Sequence, residues 1–237
     1  MGTGCDVIRF GELDIDFDQR VLEPRPWTVR QASWAAELLR GLPPGRVLEL
    51  CAGAGQIGLL TVARAPRELV CVDANPAAGS FIEANARRAG LSHLVEVRVA
   101  DVEEAVCPEE RFVLVIADPP WVRSHEVAGF VEDPAEAIDG GEDGLAVALA
   151  CLRVIQEHLV PGGEAILQLG DLEQADALRR QLADGPLAVG EVEDVDGRGV
   201  LVRLTARDRT DELAGHSGSD CVGSDGAPVS STVSGEG

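Results

Sequence analysis

Between residues 30 and 205, short apolar runs rich in β-branched residues alternate with longer amphipathic stretches, and this alternation restricts the fold more than any other feature. Strands are expected at Arg46–Cys51, Leu69–Asp73, Val95–Val99, Phe112–Ala117 and Ala165–Leu169. Helices are expected at Gln31–Arg40, Ile57–Arg64, Pro76–Ala89, Gly144–Leu159 and Leu172–Leu182. A strand that is apolar on both faces must be covered on both, which strand–helix alternation achieves with a parallel sheet. Pro76 suits the first turn of its helix and Gly90 the end. The last stretch, "GEVEDVDGRGVLVRL", predicts a hairpin turning near Asp196-Gly197. The expected fold class is α/β, a doubly wound and mostly parallel seven-stranded sheet ending in an antiparallel hairpin.

A chain of 237 residues supplies one full-sized domain. Residues 1–29 form a polar lead-in segment ending in "EPRPWTV", residues 30–205 the ligand-binding domain, and residues 206–237 a Gly/Ser/Asp-rich stretch expected to be a disordered tail. No segment approaches the apolar length of a membrane span, and the start "MGTGCDVIRF" has neither the basic end nor the apolar run of a signal peptide. The six cysteines are scattered without a C-x-x-C pair, as in a cytoplasmic protein with reduced thiols, and the four histidines show no metal-ligand spacing. The formal charge is −21, and all 20 basic residues are arginines that form no patch. Such a field repels polyanions, which disfavours nucleic acid as a partner.

"VLELCAGAGQIGLL" is a strand, a glycine loop and a helix start, in which Gly53, Gly55 and Gly58 satisfy G-x-G-x-x-G. Glycines let the backbone approach a ligand, and a helix N-terminus offers free N–H groups. Asp73 ends the next strand and can accept both hydroxyls of a ribose, so the cofactor carries a nucleoside. A dinucleotide fits this spacing equally well. Glu49, four residues before Gly53, suits a cationic ammonium group better than a pyrophosphate, and Asp101 ends a third strand where an adenine amino group can donate. Acids at three successive strand ends point to S-adenosylmethionine.

"VLVIADPPWV" is a buried strand stopped by two prolines, neither of which can donate to a ladder. Asp118 and Trp121 are thereby held at the sheet edge where ligands bind in open α/β folds. A planar amide or aromatic amine is a poor nucleophile, because its lone pair is delocalised. The Asp118 carboxylate and the Pro119 carbonyl can accept its two N–H bonds and aim the lone pair, while Trp121 stacks on the planar group.

"LELCAGAGQIG", "VDANP", "VADVEEA" and "IADPPWV", in this order, resemble the motifs of class I methyltransferases. "VLEPRPWT" and "AIDGGEDGLAVALACLRVIQEHLVPGGEAILQLG" narrow the resemblance to the release-factor glutamine methyltransferases, from about Val21 to Leu169. The resemblance implies a Rossmann-like domain that binds S-adenosylmethionine. Glu49, Gly53 and Gly55 would hold its methionine part, Asp73 its ribose, and Asp101 with Val102 its adenine, with Cys51 also among the cofactor-binding residues. Asp118, Pro119, Pro120 and Trp121 would form the catalytic acceptor site, with Asp118 also near the cofactor. Arg25 and Thr28 either close over the methionine end or form a rigid linker bracketed by prolines. Three departures stand out. Cys51 occupies the position where the family opens its glycine loop. The tetrapeptide is Asp-Pro-Pro-Trp where the glutamine methylases have Asn-Pro-Pro-Tyr, and an initial Asp is more usual in enzymes that methylate nucleobase amines. The helical domain that bacterial relatives place before "VLEPRPWT" is expected to be missing.

The expectation is therefore methyl transfer from S-adenosylmethionine to a planar nitrogen of an acceptor protein or small molecule. Two other classes remain open, an NAD-linked oxidoreductase and a non-catalytic cofactor-binding partner protein. "IDGGEDG" lacks the alternating acids of a calcium loop and is read as a helix entry, His125 as a loop residue, and Trp34 as core.

Overall fold

The computed structural model describes residues 5–207. An N-terminal hairpin of β1 (Asp6–Phe10) and β2 (Leu13–Phe17) precedes α1 (Val29–Gly41). Then come β3 (Arg46–Leu50), α2 (Gln56–Arg64), β4 (Leu69–Asp73), α3 (Pro76–Arg88), β5 (Val95–Val99) and β6 (Phe112–Ala117). The chain continues through the short α4 (Ala135–Ile138), α5 (Ala146–His158), β7 (Leu159–Leu169), α6 (Leu172–Gln181), β8 (Leu187–Asp194) and β9 (Val200–Ala206). Seven strands make one sheet in the order β5-β4-β3-β6-β7-β9-β8. The five from β3 to β7 are parallel, and β9 joins them antiparallel to β7 with β8 on its outer edge.

This is the expected fold, and the expected helices and central strands appear with ends shifted by a residue or two. One strand is much longer than expected. β7 begins at Leu159, directly after α5, and the Pro161–Gly163 turn interrupts its register against β6 rather than delaying its start. The hairpin turns at Asp196 and Gly197, both in the left-handed region at φ 52° and 70°.

Two expected boundaries need correction. Residues 1–29 are not merely a lead-in: the hairpin packs against α3 and α2 and buries Phe10 and Ile15 completely in the first core layer. Asn85 of α3 fixes it, accepting from the Asp16 N–H at 2.7 Å and donating to the Asp16 carbonyl at 3.0 Å. At the other end, β9 runs through Ala206, and the Arg207 N–H donates to the Pro186 carbonyl at 2.8 Å, so the folded part extends past residue 205. The remainder of the expected tail, from 208 onward, lies outside the described residues.

β3 and β6 sit side by side at the point where the strand order reverses. β6 is apolar throughout and β3 is apolar between Arg46 and Leu50 except for the buried Glu49, with two core layers packed on the two faces of the sheet. Trp34 is one of the buried residues of the first layer, as expected. In open α/β sheets, the carboxyl ends of the strands at such a reversal are where ligands bind.

Candidate active site

Every acid singled out in the sequence lies at that carboxyl edge. After β3 the chain makes a tight loop from Cys51 to Gly55, with Cys51, Gly53 and Gly55 at positive φ of 57°, 55° and 80°. Gly55 caps α2 in the left-handed region, which aims the first N–H groups of the helix outward from the sheet edge. A side chain at Gly53 would meet nothing nearer than Gln56 Oε1 at 3.9 Å, so that side of the loop is open to a ligand. At Gly55 it would press on Ile82 and Leu59, so this glycine serves packing as well as turn geometry.

Asp73 holds the loop in place. One carboxylate oxygen accepts the Gly53 N–H at 2.8 Å and the other the Asn75 N–H at 2.9 Å. Its pKa is raised, because burial outweighs these two hydrogen bonds. Glu49 is more deeply placed, at 2% exposure. It accepts the Gly58 N–H at 2.8 Å and the Cys71 thiol at 3.3 Å, and among the described residues no cation pairs with it. Burial pushes its pKa up to about 7, with the like charges of Asp118 and Asp73 adding to the shift. Asp101 lies exposed just after β5, where its carbonyl accepts from Glu104 N–H in a turn, and Val102 packs partly against the second core layer.

Asp118 follows β6 directly, its N–H turned to the Leu50 carbonyl at 3.5 Å. Among the described residues, no group donates to its carboxylate. Burial alone pushes its pKa up to about 7. Pro119 is buried, while Pro120 and Trp121 are half-buried. The chain then leaves the edge through Val122, whose N–H donates to the Ile138 carbonyl at 2.9 Å.

Glu49 is buried while Asp73 and Asp118 are half-buried, and among the described residues no basic side chain pairs with any of the three carboxylates. Unfilled, such a cluster is costly. A cationic ligand relieves it, which an anionic pyrophosphate cannot do. The open glycine loop and this acid set fit S-adenosylmethionine.

Some expected neighbours are elsewhere engaged. Arg25 is held by Asp133, both carboxylate oxygens lying 2.6 Å from its Nη2. The buried Thr28 hydroxyl donates to the Arg25 carbonyl at 2.8 Å. Both therefore shape the "RPWT" turn before α1. His125 is exposed. In "IDGGEDG", Asp139 accepts from the Ser124 hydroxyl and the Gly141 N–H, and Asp143 from the Leu145 N–H, as a helix entry requires. Among the described residues, no group of His, Cys, Asp and Glu could hold a metal ion.

Two features escaped the sequence. Cys51 Sγ lies 3.9 Å from the buried Cys151 Sγ of α5, which drives its pKa well above the thiol range. Gln174 of α6 reaches back to the Asp118–Trp121 segment, donating to the Trp121 carbonyl at 3.0 Å. No motif spacing signals either contact.

The strand order and the site together define a class I methyltransferase domain. The family described as "Methyltransferase small domain" matches residues 35–159, more than half of the chain, and the chain belongs to it. The methyl donor of this class is S-adenosylmethionine, which decides between the two cofactors that the glycine loop alone left open. Among curated proteins, the chain is 31% identical over 187 residues to the release factor glutamine methyltransferase of Cereibacter sphaeroides, covering 76% of this chain and 65% of that protein. It is 32% identical to that of Mycolicibacterium smegmatis, covering 83% and 71%. Across the release factor glutamine methyltransferases compared, the chain spans from 55% to 71% of the relative's length. Among solved structures, the hMettl16 catalytic domain in complex with MAT2A 3'UTR hairpin 1 superposes with a TM-score of 0.65 at 16% identity, over 83% of this chain and 76% of that one. That likeness carries the fold. No described helix is long and apolar enough to cross a membrane.

Proposed function

We propose that this chain methylates a planar nitrogen, the side-chain amide of a glutamine in an acceptor protein, and that it acts in the cytoplasm. The observation that carries the reading is Asp118: a desolvated carboxylate at the end of β6, with no hydrogen-bond donor among the described residues, followed by two prolines and a half-buried tryptophan. A half-buried carboxylate with no donor among the described residues is matched by a ligand that brings N–H groups. The curated relatives named as release factor glutamine methyltransferases support the amide and suggest a release factor as the acceptor.

In this reading Glu49 and the Cys51–Gly55 loop face the methionine part of the cofactor, Asp73 its ribose, and Asp101 with Val102 its adenine. S-adenosylmethionine supplies an activated methyl group on a positively charged sulfur. The chain itself positions the acceptor. Asp118 and the Pro119 carbonyl accept the two N–H bonds of the amide, and the Trp121 ring covers its plane. As the nitrogen gains positive charge, the Asp118 carboxylate stabilises it and can hold the proton that the nitrogen releases. The two prolines keep these acceptors from reorganising.

The test is incubation of the full chain with methyl-labelled S-adenosylmethionine and a recombinant release factor from the same cells, followed by peptide mass spectrometry. A methyl group on one glutamine side chain is the expected result. Label in RNA or in small molecules, with none in protein, would overturn the amide reading and favour an amine acceptor, the chemistry for which an initial Asp is more usual.

A further inference from the structure

Gln174 lies on the first turn of α6 at 2% exposure, and its side-chain amide joins three loops. Its Oε1 accepts the Gly170 N–H at 2.7 Å, from the turn that follows β7. Its Nε2 donates to the Trp121 carbonyl and to the Asp143 carbonyl, both at 3.0 Å. One planar group therefore ties the end of the Asp-Pro-Pro-Trp segment to the entry of α5 and the start of α6.

The surroundings are shaped for this amide. Gly144, at φ 75°, has no room for a side chain, because a Cβ there would collide with Gln174 Nε2 and the Trp121 carbonyl. A Cβ on Gly170 would sit 2.5 Å from Trp121 Cε3 and 3.0 Å from Gln174 Oε1. The helix turn is anchored in turn, since Asp171 accepts the Gln174 N–H at 2.8 Å through one oxygen and Arg123 Nη1 at 2.9 Å through the other. The α6 N-terminus thus grips the motif segment at two points, the Trp121 carbonyl and the Arg123 guanidinium.

We infer that Gln174 is a positioning residue for methyl transfer, fixing the Trp121 backbone and so the ring that covers the acceptor. The inference rests on Asp118–Trp121 being the acceptor site. A residue that only capped α6 would also contribute stability, but its loss would not alter the surroundings of Trp121. Gln174→Glu places a carboxylate against two carbonyls and removes both donors. Gln174→Met keeps the volume and removes every hydrogen bond.

The experiment uses the full chain and reads three quantities: acrylamide quenching of Trp121, S-adenosylhomocysteine binding by calorimetry, and methyl transfer to the recombinant release factor. The Trp121 emission is isolated by subtracting the Trp121→Phe variant, since Trp27 and Trp34 also fluoresce. Both Gln174 variants are expected to bind S-adenosylhomocysteine within about threefold of the parent and to show roughly twofold greater Trp121 quenching. They should lose about 10- to 100-fold in kcat, the cost of misplacing a reacting group by an ångström or so. Acid should return Gln174→Glu toward parental quenching, because the protonated carboxyl regains a donor, and should leave Gln174→Met unchanged. Unaltered Trp121 quenching in Gln174→Met overturns the inference, even if the melting temperature falls. Should Gln174→Glu fail to fold, Gln174→Met decides alone. Should the parent protein not methylate the release factor, the acceptor proposal falls, while the quenching still decides the role of Gln174.

Discussion

The Glu49 carboxylate accepts the Gly58 N–H at 2.8 Å, so an acid near the end of β3 carries the first turn of α2. The two residues fit only because Gly58 has no side chain. A Cβ at that position would overlap Glu49 Oε2 and lie 2.8 Å from its Cδ and 3.0 Å from Leu69 Cδ2. Glu49 cannot swing away, being buried and bound to Cys71 as well. Gly58→Ala should therefore destabilise the chain by about 1–3 kcal/mol, the usual cost of overpacking a tight interior. Chemical denaturation measures this. An unchanged midpoint would mean that the contact is slack.

The acid cluster predicts how the protein responds to pH. Glu49 and Asp118 both titrate near 7 when folded, above the ordinary carboxylate range, because burial disfavours their charged forms. Between the ordinary carboxylate pKa and about 7, the folded state binds more protons than the unfolded state. Stability is therefore highest below that window and is lost as pH rises through it, with Glu49 contributing on the order of 3 kcal/mol. A cationic cofactor reverses the preference, so its affinity should rise over the same window and its binding should release protons. Calorimetry in buffers of different ionisation enthalpy counts those protons. Glu49→Gln should flatten the thermal stability profile of the unliganded protein. A profile as steep as the parent's would move the titration to another group.

The central strands were legible because runs such as Phe112–Ala117 are buried at every position and bounded by charge or proline. The glycine loop and its acids were legible for a related reason, since chemistry at a sheet edge requires particular residues at strand ends. The N-terminal hairpin was not read, although Leu13, Ile15 and Phe17 alternate with aspartates after a glycine turn. Its charge concealed its period. The early start of β7 was hidden because α5 passes into it with no separating loop, and Pro161–Gly163 looks like a break. Gln174 was invisible for a deeper reason. An amide bonding to backbone carbonyls leaves no trace in spacing, since its partners can be any residue type.

Cys51 offers a test of backbone strain in the cofactor loop. It stands at φ 57°, a region that costs a side-chain-bearing residue roughly 1–2 kcal/mol and glycine almost nothing. Cys51→Gly relieves this strain but enlarges the entropy of the unfolded chain and forfeits the contact with Cys151. Its net effect should stay within about 1 kcal/mol, with cofactor affinity retained. Cys51→Val places a β-branched residue in the same conformation and should cost about 1–3 kcal/mol and weaken binding. Denaturation and calorimetry on the pair are decisive. If Val is tolerated as well as Gly, the loop is not held at positive φ in solution.

Asp118 is where the acceptor's chemistry can be read directly. Its carboxylate has no donor among the described residues, and the attacking nitrogen gains positive charge as the methyl arrives. A charged acceptor stabilises that charge better than a neutral amide oxygen. An amide substrate can spread the charge onto its own carbonyl, whereas an amine has no such outlet. If the acceptor is a glutamine side chain, Asp118→Asn should keep appreciable turnover, as the resemblance to glutamine methylases with an Asn-Pro-Pro-Tyr tetrapeptide implies. If the acceptor is an amine, the loss should be greater, on the order of 2–4 kcal/mol in the barrier. Asp118 also belongs to the carboxylate cluster that suits a cationic cofactor, so S-adenosylmethionine affinity is measured alongside, and only the change in single-turnover rate at saturating cofactor is compared. Asp118→Ala removes the acceptor altogether and should abolish transfer for either substrate while largely sparing cofactor binding. Full single-turnover activity in Asp118→Ala, measured with the acceptor that the parent protein methylates, would place the chemistry at another residue.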